Sequence, residues 1–170
     1  MNSDLKITYR KGTHNDLEAL QELALTSYGI FKTVLTPDNW KTMETGIKRK
    51  ELFSELLEKA ETFVAEINGK MVGMVFLTPS GFKHPLYDDN WSVIRFLGVH
   101  PDHNGKGIAK YLTQKCIETA RKNNEKIIGL HSSTEIMSNA IDIYLKAGFK
   151  FHKDIAPLFG VKYQLYKMNL

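Results

Sequence analysis

The residues best suited to chemistry form a glycine-rich turn in the middle of the chain. An apolar run that ends at Val99 is followed by the motif Asn104-Gly105-Lys106-Gly107-Ile108-Ala109, and a helical pattern continues from it. Glycines let a backbone approach a ligand closely, and the first N–H groups of a helix lack internal partners. The helix dipole adds partial positive charge at the same point. The segment therefore predicts a site for a phosphate or pyrophosphate, with a tight turn that binds nothing as the alternative.

Neither common nucleotide fingerprint fits this turn. GxxxxGK[ST] fails because Ile108 follows Gly105-Lys106-Gly107, and GxGxxG fails because Lys110 stands where the third glycine would be. The surroundings must therefore decide what the turn does.

Composition narrows the class of protein. The chain has 170 residues, a net charge of +4 and a single cysteine. We expect one domain, without an internal disulfide or a cysteine-rich metal site. Basic residues are scattered, no apolar run is long enough to span a bilayer, and the amino-terminal residues lack the apolar core of a signal peptide. We expect a cytoplasmic protein that binds neither nucleic acid nor a membrane.

Hydrophobic periodicity indicates the elements that must position the turn. Seven strands are predicted, at 7–10, 62–67, 71–77, 91–99, 127–131, 149–152 and 161–168. Four helices are predicted, at 13–28, 36–59, 106–123 and 136–147, the second of them open to a break near Gly46. The order β-α-α-β-β-β-α-β-α-β-β predicts a single α/β domain of the mixed α+β kind. Its helices cover both faces of a central mixed sheet of about seven strands.

A second motif lies about thirty residues beyond the turn. The segment 139–149 reads Asn-Ala-Ile-Asp-Ile-Tyr-Leu-Lys-Ala-Gly-Phe. Together with the glycine-rich turn and the element order, it resembles the GNAT superfamily of acetyl-CoA-dependent N-acetyltransferases. The resemblance is strong over 91–151 and weaker over the amino-terminal half. It implies one acetyltransferase domain over 1–170, with acetyl-CoA as co-substrate and no metal.

The resemblance also implies which residues hold coenzyme A. The family's turn reads [Q/R]-x-x-G-x-[G/A], and here Gly107 and Ala109 match while Asn104 replaces the usual Gln or Arg. The strand before the turn would bind the pantetheine arm through the backbone of Leu97 and Val99, with the Leu97 N–H as oxyanion donor. Alternatively, these two residues serve only the core. The implied coenzyme-binding residues are Leu97, Val99, Asn104, Gly105, Lys106, Gly107, Ile108, Ala109, Lys110, Asn139 and Tyr144.

Tyr144 aligns with a tyrosine that many GNAT enzymes place near the coenzyme A sulfur. It would act as a general acid toward the leaving thiolate. The alternative is packing, because Ala140, Ile143 and Ala147 form one apolar helical stripe with Tyr144. Asn139 aligns with a frequent coenzyme A contact, and an early polar helix position is the alternative.

The sequence lacks the general base that the resemblance leads one to expect. Many relatives carry a glutamate near position 93, but the strand from Trp91 to Val99 has no carboxylate. His131, which ends the next strand, is expected to titrate near neutral pH and is the leading candidate, with a structural histidine as the alternative. The acceptor is expected to contact Tyr28, Phe31, His131 and Ser132.

The sequence thus predicts direct attack by a primary amine on acetyl-CoA. The amine would be a small molecule or part of a peptide or protein. The alternative is a binding module that holds acyl-CoA without turnover. A homodimer is expected by analogy, with the strand 161–168 pairing between chains.

Overall fold

The computed structural model describes residues 5–170. Its strands are β1 (Ile7–Lys11), β2 (Glu61–Ile67), β3 (Lys70–Thr78), β4 (Trp91–Val99), β5 (Ile127–Ser132), β6 (Lys150–Leu158) and β7 (Val161–Asn169). Its helices are α1 (Leu17–Tyr28), α2 (Pro37–Ile47), α3 (Lys50–Lys59), α4 (Ile108–Lys122) and α5 (Ser138–Ala147). Short 3₁₀ turns lie at His14–Asp16, Gly29–Thr33 and Pro101–His103.

One seven-stranded sheet runs through the domain in the order β1-β2-β3-β4-β5-β7-β6. Only β4 and β5 pair in parallel, and the other neighbours are antiparallel. Asn68 and Gly69 both have positive φ, at 52° and 75°, which is the geometry of a two-residue hairpin turn and joins β2 to β3. The predicted mixed sheet is therefore confirmed.

Alternate residues of the central strands bury into two cores, one on each face of the sheet. Phe63 and Val75 pack with residues of α4 and α5, whereas their neighbours Val64 and Phe76 pack with residues of α1, α2 and α3. This alternation is the period of a strand that is covered on both sides. The predicted placement of helices on both faces is confirmed.

Two helices occupy the predicted helical range 36–59, and they are separated by the break that the sequence left open near Gly46. Thr36 caps α2 by accepting a hydrogen bond from the Asn39 N–H at 3.2 Å. The helix ends at Ile47, and Arg49 is extended with ψ 102°, so the break lies just beyond Gly46. The break lets each helix bury its own apolar face against the same core.

The prediction that the strand 161–168 pairs between two chains is wrong. Both edges of β7 are already paired, one with β5 and the other with β6. Strand β6 is longer than the predicted 149–152 and forms an edge of the sheet.

A β-bulge interrupts the regular pairing of β4 with β3 shortly before the glycine-rich turn. Arg95 pairs with Phe76 and Gly98 with Met74, so Phe96 and Leu97 together oppose Val75. Phe96 adopts a φ of 51°, which is uncommon for an aromatic residue. The bulge lies before Gly98, while a Cβ on Gly98 would stand 2.6 Å from the Ser27 hydroxyl.

Beyond Val93, which precedes the bulge, β4 and β5 separate. Their pairing runs only from Trp91 with Ile127 to Val93 with Gly129. The rest of β5 continues to pair with β7, so the end of β4 leaves a wedge-shaped gap beside β5. The wedge (residues 94–99 of β4 and 130–132 of β5) exposes strand edges inside the protein, where an extended ligand could add to them.

Gly129 lies where the two strands part, and we expect Gly129→Ala to destabilise the protein. An added Cβ would lie 2.3 Å from the Trp91 ring and 3.3 Å from the Tyr166 carbonyl oxygen. Overpacking of this kind costs about 1–3 kcal/mol. Urea unfolding measures it, with Gly46→Ala as the control, because a Cβ there meets nothing within 4 Å. Equal stability of both variants would contradict the tight fit at Gly129.

Candidate active site

The glycine-rich turn forms a row of available backbone donors. Gly105 and Gly107 have φ of 77° and 79°, and helix α4 begins directly afterwards at Ile108. The Tyr111 N–H donates to the Gly107 carbonyl oxygen at 3.0 Å, which is the first helical bond. None of the six N–H groups from 105 to 110 has an acceptor among residues 5–170. We name residues 104–110 the cradle. Its open donors suit the oxygens of a diphosphate.

The cradle opens into a large cavity of about 1020 Å³. The cavity follows the wedge between β4 and β5 and reaches residues of α1, α2 and α5. All but one of the candidate residues line it: Tyr28, Phe31, Leu97, Val99, Asn104, Gly105, Gly107, Ile108, Ala109, Lys110, His131, Ser132, Asn139 and Tyr144. The exception is Lys106, which does not line the cavity itself, although its Nζ lies 3.0 Å from the Nδ1 of the lining residue His103. Residues from distant segments therefore converge on one space.

Tyr28 and Leu97 meet at the wedge. The Tyr28 hydroxyl donates to the Leu97 carbonyl oxygen at 3.4 Å, which ties α1 to the bulge of β4. Burial raises the pKa of Tyr28 to about 12, so the phenol keeps its proton at neutral pH. Tyr28 thus anchors the part of β4 around Leu97, whose backbone is expected from the sequence to contact coenzyme A.

Tyr144 is buried in α5, and its residue lines the cavity. The ring packs edge-on against Phe149 at a centroid distance of 5.9 Å, so the packing interpretation holds for the ring. Among residues 5–170 the Tyr144 hydroxyl has no hydrogen-bond partner. Its oxygen atom is not completely shielded from solvent. Burial raises the pKa of Tyr144, with smaller effects from Tyr28 and Cys116. The side chain therefore presents a protonated hydroxyl that is free to donate.

His131 differs from the expectation of titration near neutral pH. Its Nδ1 forms a short hydrogen bond with the Tyr87 hydroxyl, and its ring stacks near His84 at 6.3 Å. The pKa of His131 is lowered to about 4, chiefly by burial and to a smaller extent by the proximity of His84 and Arg95. The imidazole is therefore neutral at pH 7. It can exchange hydrogen bonds there, but it is a weak base.

The cavity wall has an unusual charge pattern. Among the residues that line it within 5–170, none is Asp or Glu, whereas Arg95 and Lys110 are cationic. The absence of a carboxylate on β4 thus extends to the whole described wall. No cluster of three or more His, Cys, Asp or Glu suited to a metal ion occurs in the described part of the chain.

The amino-acid sequence matches a known family. The model of the acetyltransferase (GNAT) family matches residues 17–149. The chain belongs to this family. The predicted family is therefore confirmed.

Curated relatives carry the same class of name. An uncharacterized N-acetyltransferase of Methanocaldococcus jannaschii is 30% identical over 84% of this chain and 60% of its own length. N-acetyltransferase 8B of Mus musculus is 35% identical over 52% of this chain and 37% of its own length. The chain thus spans less than two thirds of the length of each of these two relatives. An acetyltransferase of Pectobacterium atrosepticum is 31% identical over 56% of this chain and 68% of its own length.

Solved structures share the fold. The PaiA N-acetyltransferase of Thermoplasma acidophilum was solved in complex with coenzyme A, and it superposes on this chain with a TM-score of 0.76 at 19% identity. The superposition covers 97% of this chain and 99% of the PaiA chain. The YncA protein of Salmonella typhimurium, solved with acetyl-CoA, gives 0.70 at 18% identity, with 96% of this chain and 94% of its own covered. The predicted GNAT fold is confirmed. Within residues 5–170, no helix has the length and apolarity needed to cross a bilayer.

Stability of this GNAT domain is expected to fall as the pH drops from 6.5 to 4. An unfolded histidine binds its proton near pH 6.5, but folded His131 binds one only near pH 4. The unfolded chain binds more protons between these values, so acid favours unfolding, by on the order of 3 kcal/mol from this residue.

Urea unfolding at pH 7 and pH 4 measures this effect. His131→Gln should flatten the decline, whereas His14→Gln, at an exposed position, should leave it unchanged. An unchanged decline in His131→Gln would contradict the burial of a neutral imidazole.

Three contributors to the GNAT site were missed by sequence reasoning. Arg95 lies on the cavity wall, and as the one charged residue of β4 it was visible as a break in an apolar strand. Tyr87 and His84 come from the loop before β4, and they reach His131 across 44 and 47 positions of the chain. No local pattern indicates a contact of that span.

Proposed function

We propose that this chain transfers the acetyl group of acetyl-CoA to a primary amine. The observation that carries the proposal is the cradle, six successive backbone donors without acceptors in the described chain, which opens into a cavity that runs along the wedge to Tyr144. The spacing of cradle, wedge and tyrosine suits a long thioester carrier with a diphosphate at one end. Relatives and structural neighbours with acetyltransferase names support the same assignment.

In this proposal, acetyl-CoA supplies an acetyl group activated as a thioester. The cradle holds the diphosphate, with Asn104 and Asn139 as polar neighbours, and the backbone of Leu97 and Val99 aligns the chain that joins diphosphate to thioester. The Leu97 N–H, beside the bulge, donates to the thioester carbonyl and stabilises negative charge on its oxygen as the amine attacks. The Tyr144 hydroxyl donates toward the sulfur as the carbon–sulfur bond breaks.

The amine must be neutral when it attacks. Without a carboxylate in the described wall, we assign this to the environment rather than to one strong base. An apolar and aromatic cavity disfavours an ammonium ion and so lowers the pKa of the bound amine. Neutral His131 and Tyr87, which are hydrogen-bonded to each other, then provide a route by which the proton leaves toward water, with Ser132 beside them.

The test measures coenzyme binding and turnover separately. Calorimetry with coenzyme A should show binding, and thiol release from acetyl-CoA should require an added amine from a panel of amino acids, polyamines and peptides. No heat with coenzyme A would overturn the whole assignment. Binding without release by any amine would favour the binding module, which the Asn104 substitution and the missing carboxylate motivate.

We place this reaction in the cytoplasm and treat residues 1–170 as one catalytic domain. A homodimer remains part of the proposal, but through a surface other than β7. Sedimentation at micromolar concentration tests it, and a monomer would contradict it.

A further inference from the structure

Arg95 is a cation on the cavity wall, and it has no counter-ion among the described residues 5–170. It lies next to the bulge of β4 and is largely buried, and its guanidinium stays charged in a protein. No carboxylate lies within salt-bridge distance of it among residues 5–170. Glu55 affects it at longer range only and is already paired with Lys59 at 3.1 Å.

The surroundings of Arg95 offer no other anion. The groups that sense its charge are Tyr28, Tyr87, His84 and His131, all of them neutral at pH 7. The guanidinium lies 5.4 Å from the centre of the Phe96 ring, which helps to hold it in place. A desolvated cation with no ionic partner is costly, and natural sites pair such a group in the bound state.

The position of Arg95 separates it from the diphosphate site. Its neighbour on the strand, Ile94, packs in the core that contains α4, whose start forms the cradle. Tyr28 and Phe96, which lie near Arg95, pack in the core on the opposite face of the sheet. Arg95 therefore belongs to the side of the wedge where Tyr28 and Phe31 form the expected acceptor site.

From this arrangement, and resting on the proposed function, we infer that the acceptor is an amine that also carries a carboxylate, an amino acid in the broad sense. The Arg95 guanidinium binds the carboxylate through two N–H donors, a geometry that arginine suits well. The amine then lies toward Leu97. Polyamines, which carry only positive charge, would be repelled.

Matched pairs of acceptors test the inference. Thiol release is compared for L-methionine with 3-(methylthio)propylamine, for L-phenylalanine with phenethylamine and for L-tryptophan with tryptamine. We expect the carboxylate-bearing member to have a kcat/KM at least about tenfold higher, as for a charge-assisted hydrogen-bonded pair. Equal values, or a preference for the decarboxylated amines or for spermidine, would overturn the inference and leave acetyl transfer standing.

Variants locate the effect at Arg95. Arg95→Gln should raise KM for the amino acid about tenfold or more and leave KM for acetyl-CoA unchanged, with partial rescue by Arg95→Lys. Arg121→Gln, on the exposed surface of α4, is the matched control. An unchanged KM for the amino acid in Arg95→Gln would overturn the assignment.

Product binding provides a readout that does not need turnover. In the presence of coenzyme A, calorimetry should show tighter binding of N-acetyl-L-methionine than of the N-acetyl amine without the carboxylate. Equal affinities would overturn the inference. Absence of thiol release with every acceptor, by contrast, would reject the proposed function itself.

Discussion

Replacing Tyr144 with phenylalanine is expected to lower kcat by about a hundredfold or more, the usual contribution of a positioned general acid. The residue is buried on the cavity wall, and its hydroxyl has no acceptor in the described chain. Burial keeps this phenol protonated, so its removal takes away a donor that is available to the departing sulfur. Because the ring and its contact with Phe149 remain, the fold should persist.

Steady-state rates at saturating acetyl-CoA and acceptor measure the effect. Tyr166→Phe is the control, because Tyr166 is buried in the same core without lining the cavity. A kcat for Tyr144→Phe within twofold of the original would show that Tyr144 only packs.

Replacing Gly107 with valine is expected to weaken coenzyme A binding about a hundredfold, or roughly 3 kcal/mol. Gly107 has a φ of 79°, which a β-branched residue tolerates poorly. A Cβ there meets no protein atom within 4 Å, so the new side chain would occupy the open space of the cradle. Backbone strain and the loss of a charge-assisted hydrogen bond to the diphosphate therefore add.

Calorimetry with coenzyme A measures this loss. Gly69→Val is matched in backbone geometry, with a φ of 75° and nothing within 4 Å, but it lies in the β2–β3 turn. It should cost stability and leave the dissociation constant unchanged. Comparable weakening in both variants would indicate a general effect of backbone strain rather than a diphosphate site.

Much of the fold could be predicted because its signals are local. The Asn68-Gly69 turn, the Thr36 cap and the apolar run of β4 each carry their own pattern over a few residues. Strand β6 was underestimated because its residues are mostly exposed and only its pairing with β7 keeps them extended. The break after Ile47 was placed slightly early because Gly46 is a stronger local signal than Arg49.

The residues of the candidate site also divide into those that have a local sequence signal and those that have none. The cradle could be predicted because strand, turn and helix are contiguous, and Tyr144 because of the motif around it. The positive φ of Phe96, which creates the bulge, has no local indicator, since it depends on pairing with β3. The surroundings of His131 could not be predicted, because Tyr87 contacts it from the loop before β4, 44 positions away in the chain.

The early separation of β4 and β5 has a kinetic consequence. The cradle belongs to one face of the sheet and Arg95 to the other, so the two substrates reach the gap between the strands from opposite sides. In the proposed reaction, neither substrate has to leave before the other enters, and both are bound when the acetyl group moves. Initial-rate plots should therefore intersect as in a ternary-complex mechanism rather than run parallel as in a ping-pong mechanism. The single cysteine, Cys116, is sealed in the core and cannot hold the acetyl group in transit.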